Sequence, residues 1–274
     1  MMSNETVATQ PSFGSSSRQN KKWWTTLGLQ AAALCAMLLM WQAVSQLGIG
    51  SPSLMKSPLQ VLAALQRLFE SGEILVNLWA TMKAVVIALL LAAVVGTAAG
   101  LVLALHPRLE AALQPVISGL NSMPRVALAP VFVVAFGITL SAKVALAFSV
   151  VVFVFLLNAR AGVKSADSDI IRMATVMGAT KTQRFFTLLL PVATPSIFAA
   201  TRLGLIYSLL GVVTSELIAA RDGLGQLVAY YSSTFEMASV YAILIVLAIV
   251  AGVLNSLTGA LENRVLRWQP HPEE

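Results

Sequence analysis

Long apolar runs separated by short polar interruptions make up most of this chain. They fall at about residues 27–47, 77–105, 113–137, 144–157, 195–218 and 240–261. A helix crossing the hydrocarbon core needs about 20 mostly apolar residues, whereas a membrane barrel would show short alternating segments. The pattern therefore predicts an all-α, polytopic membrane protein with about six transmembrane helices. Residues 59–69 repeat Leu62, Leu65, Leu68 and Phe69 at helical spacing, with Gln60, Gln66 and Arg67 between them. That segment is too short and too polar to span, so it is expected to lie along the interface.

Composition agrees. Charged residues make up 11% of the 274, against about a quarter in soluble domains, and mean hydropathy is +0.80. The net charge of +6 comes from the positive-inside bias and not from nucleic-acid binding. Arg18, Lys21, Lys22, Arg108, Arg160, Lys164, Arg172, Lys181, Arg184, Arg264 and Arg267 fall on one side of the predicted spans, and Lys56, Arg67, Lys143 and Arg221 on the other. Eleven against four puts both termini in the cytoplasm. No basic run is interleaved with aromatics as a nucleic-acid surface requires.

The expected organisation follows. Residues 1–22 form a disordered cytoplasmic tail and 23–50 an N-terminal transmembrane helix anchored by Trp23 and Trp24. A cleaved signal peptide is the competing reading, but its apolar core would be about 7–15 residues, shorter than this one. Residues 51–74 form a periplasmic linker with the interfacial helix, 75–262 a core of about five spans, and 263–274 a cytoplasmic tail. Gly96 and Gly100, four residues apart among alanines, are expected to admit close packing of a second helix. Cys35 has no disulfide partner in the chain, and His106 has no second ligand for a metal.

Polar and helix-breaking groups within the spans mark a candidate translocation path: Asn121, Pro124 and Pro130 in the third, and Ser208, Ser215 and Glu216 in the fifth. Carbonyls freed by proline must find partners in protein or water, so such helices line cavities or the bundle interior. Arg202 and Glu216 are too far apart to pair along one helix, about 21 Å at 1.5 Å per residue. Glu216 is too short to snorkel far and is expected to face a polar path or a structural partner. No paired carboxylates, His cluster or Ser–His arrangement points to a catalytic site.

One interruption is much longer than a turn needs. Residues 172–195 read RMATVMGATKTQRFFTLLLPVATP, basic and half-amphipathic, on the cytoplasmic side. Gly178-Ala179, preceded by Ala174 and followed by Leu190-Pro191, resembles the cytoplasmic Glu-Ala-Ala…Gly…Pro loop of the permease subunit of type I ABC importers. Arg172 and Met173 depart from its first two positions. MPRVALAPVFVVAFGI with Lys143, Asn158 with Gly162, and SEL…GLGQL are similar to that family's third, fourth and fifth helices, in the branch associated with nitrate, sulfonate and taurine uptake.

The resemblance implies a MetI-like permease fold in the bacterial inner membrane, with the segment 165–191 coupling to cytoplasmic ABC ATPases through Arg172, Ala174, Met177, Gly178, Ala179 and Pro191. It implies a permease homodimer in membrane lipid, a periplasmic solute-binding protein, and ATP bound on the partner subunit, with no cofactor and no catalytic residue on this chain. The chain has no Gly-x-x-x-x-Gly-Lys-Ser/Thr loop. The expected solute is a small anion such as a sulfonate, taurine or nitrate. The alternative is a secondary transporter acting alone, although no internal repeat marks paired halves.

Overall fold

The computed structural model describes residues 15–46 and 54–265. The expected 1–14 and 266–274 portions of the tails, together with Pro52 and Arg267, lie outside the described residues. The chain divides into two units, 1–60 and 61–274. In the first, helix α1 (Ser15–Gln46) begins eight residues ahead of the predicted anchor at Trp23, and Trp41 Nε1 donates to the Lys56 carbonyl at 3.1 Å.

The second unit contains most of α2 (Pro58–Glu70), then α3 (Glu73–Leu105), α4 (Pro107–Ser122), a 3-10 turn (Arg125–Leu128), α5 (Ala129–Phe136) and α6 (Leu140–Lys164). Next come α7 (Ser168–Val176), α8 (Lys181–Arg184), a π turn (Phe185–Leu189), α9 (Leu190–Ile218), α10 (Leu224–Ser233) and α11 (Met237–Val265). Among the described residues, five helices are long and apolar enough to cross a membrane: Gly28–Gln46, Glu73–Leu105, Leu140–Lys164, Lys181–Ile218 and Met237–Ala260. A bent pair, α4 with the turn and α5, makes up to six.

The apolar run expected over 113–137 is a sharply bent helix pair. The two arms meet at 84°. Pro124 is extended (φ −68°, ψ 98°) and ends helical hydrogen bonding there. Pro130 breaks nothing: it is the second residue of α5, where a helix needs no N–H. A helix forms at the expected place, over Pro58–Glu70, and its buried side is Val61, Ala64 and Leu68, while Leu62 and Phe69 point outward. Buried alanine fits closer to the bundle than a leucine stripe would. Arg67 ties this helix to the start of α11, donating to Ser239 at 3.1 Å and pairing with Glu236 at 3.5 Å.

Helices α3, α6 and α9 form the central layer. A Cβ on Gly96 would lie 2.4 Å from the Val152 carbonyl oxygen, and one on Gly100 2.4 Å from that of Leu156. The two glycines therefore set the α3–α6 distance, as their spacing predicts. Around this contact Val85, Ala88, Ala147, Val151, Phe155 and Val212 are almost fully buried.

Candidate functional site

Three polar constructions stand out against this apolar bundle. At one end of it, the first N–H groups of α10 are satisfied by side chains from other helices. Asn77 Oδ1 accepts from Gly223 N at 2.7 Å, Thr81 Oγ1 from Leu224 N at 2.9 Å, and Glu216 Oε2 from Gly225 N at 2.9 Å. Such orphan donors must be met when a helix start is buried. Thr81 Oγ1 lies 3.0 and 2.9 Å from the two Glu216 oxygens, and Lys143 Nζ donates to Glu216 Oε1 at 3.1 Å. Lys143 also donates to the Asp222 carbonyl at 2.7 Å and pairs with its carboxylate. Gly223 has φ +110°, and a Cβ there would fall 2.0 Å from Glu216 Oε1, so only glycine fits.

Three of the candidate path positions are buried in or beside this network. Glu216, Ser208 and Ser215 are 1%, 0% and 1% exposed. Ser208 donates to the Val85 carbonyl at 2.9 Å. Glu216 ties α3, α6, α9 and α10 together, Ser208 adds an α3–α9 bond, and none of the three lines the cavity beside Arg125. Beside the network, Tyr231 donates to Glu73 Oε2 at 2.9 Å. Burial, and then the Glu73 carboxylate, push its phenol up to about 12.

The opening lies elsewhere. A cavity of about 410 Å³ is lined by Asn121, Met123, Arg125, Val150, Tyr207 and Thr214, among others. Pro124 sits exposed at the adjacent break, and Pro130 is exposed on α5 without lining the cavity. Arg125 is the only charged residue of the lining. Its guanidinium stacks 4.1 Å over the Phe153 ring and donates to the carbonyls of Leu120, Ser149 and Val150. Carbonyls orient the group without neutralising it, and among the described residues no carboxylate pairs with it. Arg202, by contrast, is exposed, and its Nε donates to Asn255 Oδ1 at 2.9 Å.

The third construction is the 165–191 segment. Asp167 caps α7 by accepting from Asp169 N at 2.7 Å. At the other end, Gly178 N donates to the Thr175 carbonyl at 3.1 Å and Ala179 N to that of Ala174 at 3.0 Å, with Gly178 at φ +83°. That is a Schellman stop, and it gives the Ala174–Gly178–Ala179 spacing its physical meaning. Thr180 and Gln183 then form a capping box that starts α8. The π turn joins α8 to α9, with Pro191 in the first turn of α9. The stop leaves Val176 and Met177 88% and 81% exposed, with Met173 and Ile170 exposed behind them. Arg172 is exposed and pairs with Asp169 at 2.9 Å.

Sequence reasoning misses Lys143 as the partner of Glu216, 73 residues away, and misses Arg125 as the cavity's cation. Only the presence of a charge in an apolar stretch could have flagged either.

Residues 92–267, more than half of the chain, match the model of the family described as binding-protein-dependent transport system inner membrane component. The taurine transport system permease protein of Escherichia coli is 31% identical, over 88% of this chain and 89% of that one. The riboflavin transport system permease protein of Chloroflexus aurantiacus is 31% identical, over 90% and 91%. Among solved structures, an inward-facing MetNI methionine ABC transporter chain shares the fold with a TM-score of 0.62 at 20% identity, covering 68% of this chain and 93% of that one.

Proposed function

Because this chain belongs to the family of binding-protein-dependent transport system inner membrane components, and is thus an ABC importer permease, we propose that it carries a small organic anion such as a sulfonate. The observation that carries the anion reading is Arg125, the one charge on the cavity wall and without a counter-ion among the described residues. A cation in a half-desolvated cavity attracts a sulfonate or carboxylate far more strongly than it would in water. The E. coli relative, whose name specifies taurine, supports the same class.

Two copies of the chain would face each other across this cavity, a periplasmic binding protein would deliver solute from outside, and ABC ATPases would bind ATP and dock in the cytoplasm on α7. The apolar tip at Met173, Val176 and Met177 suits a cleft on such a partner, and Gly178 allows close approach. Arg172, Ala174, Ala179 and Pro191 complete that segment, with both termini on the same side. Rocking of the ATPases would then be transmitted through α8 and the π turn into α9, about 43 Å of helix at 1.5 Å per residue. The far end of α9 is bolted to α3, α6 and α10 through Glu216.

The test is uptake by the importer reconstituted with its ATPase and binding protein. Arg125→Gln should lower uptake of a labelled sulfonate at least tenfold while ATPase activity without solute is unchanged. Transport of uncharged riboflavin, with sulfonate ignored, would overturn the anion reading.

A further inference from the structure

A second cavity, of about 430 Å³, lies where α3 ends and α8 leads into α9. Its lining divides sharply. Lys181 and Arg184 form a cationic part beside the His106 ring, Leu105, Ile171, Phe185 and Leu189 form an apolar part, and no carboxylate contributes. Leu105 ends one of the helices long and apolar enough to cross a membrane and Lys181 begins another, so the cavity lies at the end of two candidate spans.

Arg184 is only half engaged. One terminal nitrogen donates to Thr175 Oγ1 at 2.6 Å, while Nε is shielded from solvent and has no acceptor. Leaving a charged donor unmet in a buried position is costly, so the site is short of an acceptor. The His106 ring bonds the Val102 carbonyl through Nδ1, which must therefore carry the hydrogen, and Nε2 is left without a partner among the described residues.

We propose that this cavity binds the phosphate headgroup of an anionic phospholipid, of phosphatidylglycerol type, with an acyl chain against the apolar part. The Arg184 guanidinium on the cavity wall suits a phosphate oxygen, and Lys181 adds a point charge. A free anion would use only the cationic part. An acidic loop of an ATPase is a poorer match, because α7 gives only the apolar Ile171 to the lining and its exposed tip at Val176 and Met177 lies outside it. A lipid seated here would brace the joint between the docking segment and α9, making coupling sensitive to membrane charge. The site stands apart from the solute reading, since binding is measured on the permease alone.

The full chain in detergent, titrated with phosphatidylglycerol or phosphatidylcholine, is followed by native mass spectrometry. Wild type should retain one phosphatidylglycerol and no phosphatidylcholine. Lys181→Gln with Arg184→Gln should lower that retention at least fivefold. Arg184→Lys, which keeps the charge, should lower it less, and Arg264→Gln, on α11, should leave it unchanged. Lys181→Gln alone, at an exposed side chain, should still weaken retention if the double variant does not fold. Equal retention by wild type and folded variants would overturn the proposal. So would displacement of the lipid by millimolar inorganic phosphate, which indicates a free-anion site, or by the purified ATPase subunit, which indicates a protein partner.

Discussion

Lys143 and Glu216 meet at 3.1 Å with side chains only 4% and 0% exposed, one in the first turn of α6 and the other in the last turns of α9. Each charge is tolerated there because the other is present and because Thr81, Gly225 and Asp222 supply the remaining hydrogen bonds. Removing one partner of a buried pair leaves an uncompensated charge and costs about 3–5 kcal/mol. Lys143→Met is therefore expected to lower stability by about that amount. The double variant Lys143→Met with Glu216→Gln should lose much less than the sum of the singles. Thermal unfolding in detergent checks this, and additive losses would mean the pair is not coupled.

The α3–α6 contact makes a separate prediction. Gly100→Val must move a backbone that already approaches Leu156, so the fold should lose about 1–3 kcal/mol, the usual cost of overpacking. Gly252→Val, on α11 where a Cβ meets nothing within 4 Å, should be within about 0.5 kcal/mol of wild type. Comparison of the two melting curves separates close approach from a general effect of adding bulk to a membrane helix.

What the sequence discloses here follows physical range. Span number and helix class are set by the length of apolar runs, and the α7 stop by residues within five positions of one another, so both are legible locally. The partner of Glu216 is decided by the packing of three helices and leaves no local trace. The same limit explains α10. Its buried Leu224, Leu227 and Tyr231 recur at helical spacing, but the surrounding Tyr, Ser and Thr residues read as a polar connection. In α2 the helical period is legible but the buried face is not, because the helix buries Val61, Ala64 and Leu68 and leaves Leu62 outward.

Tyr231 gives the pH prediction. Its phenol, about 12 in the fold against 10.0 for a free side chain, is held neutral by burial and by Glu73. A raised pKa of this sign means the stabilisation is full below pH 10 and is lost as pH rises toward 12. Absorbance at 295 nm should show one of the four tyrosines ionising last, and that late step should vanish in Tyr231→Phe. Loss of stability between pH 10 and 12 should be shallower in the variant. Ionisation of all tyrosines together near pH 10 would contradict the burial argument.

Gly178 separates docking from folding. A Cβ there meets nothing within 4 Å in this chain, so substitution costs only the backbone strain of φ +83°, about 1–2 kcal/mol. Gly178→Ala carries that strain with little bulk, and Gly178→Arg carries the same strain with a long cation beside Val176 and Met177. Both should insert and melt within a few degrees of each other. In the assembled importer the Arg variant should lose solute-stimulated ATP hydrolysis and uptake, while the Ala variant keeps a substantial part of both. The contrast between two equally strained variants isolates the surface as the cause. Wild-type uptake by Gly178→Arg would place the ATPase contact elsewhere on the chain.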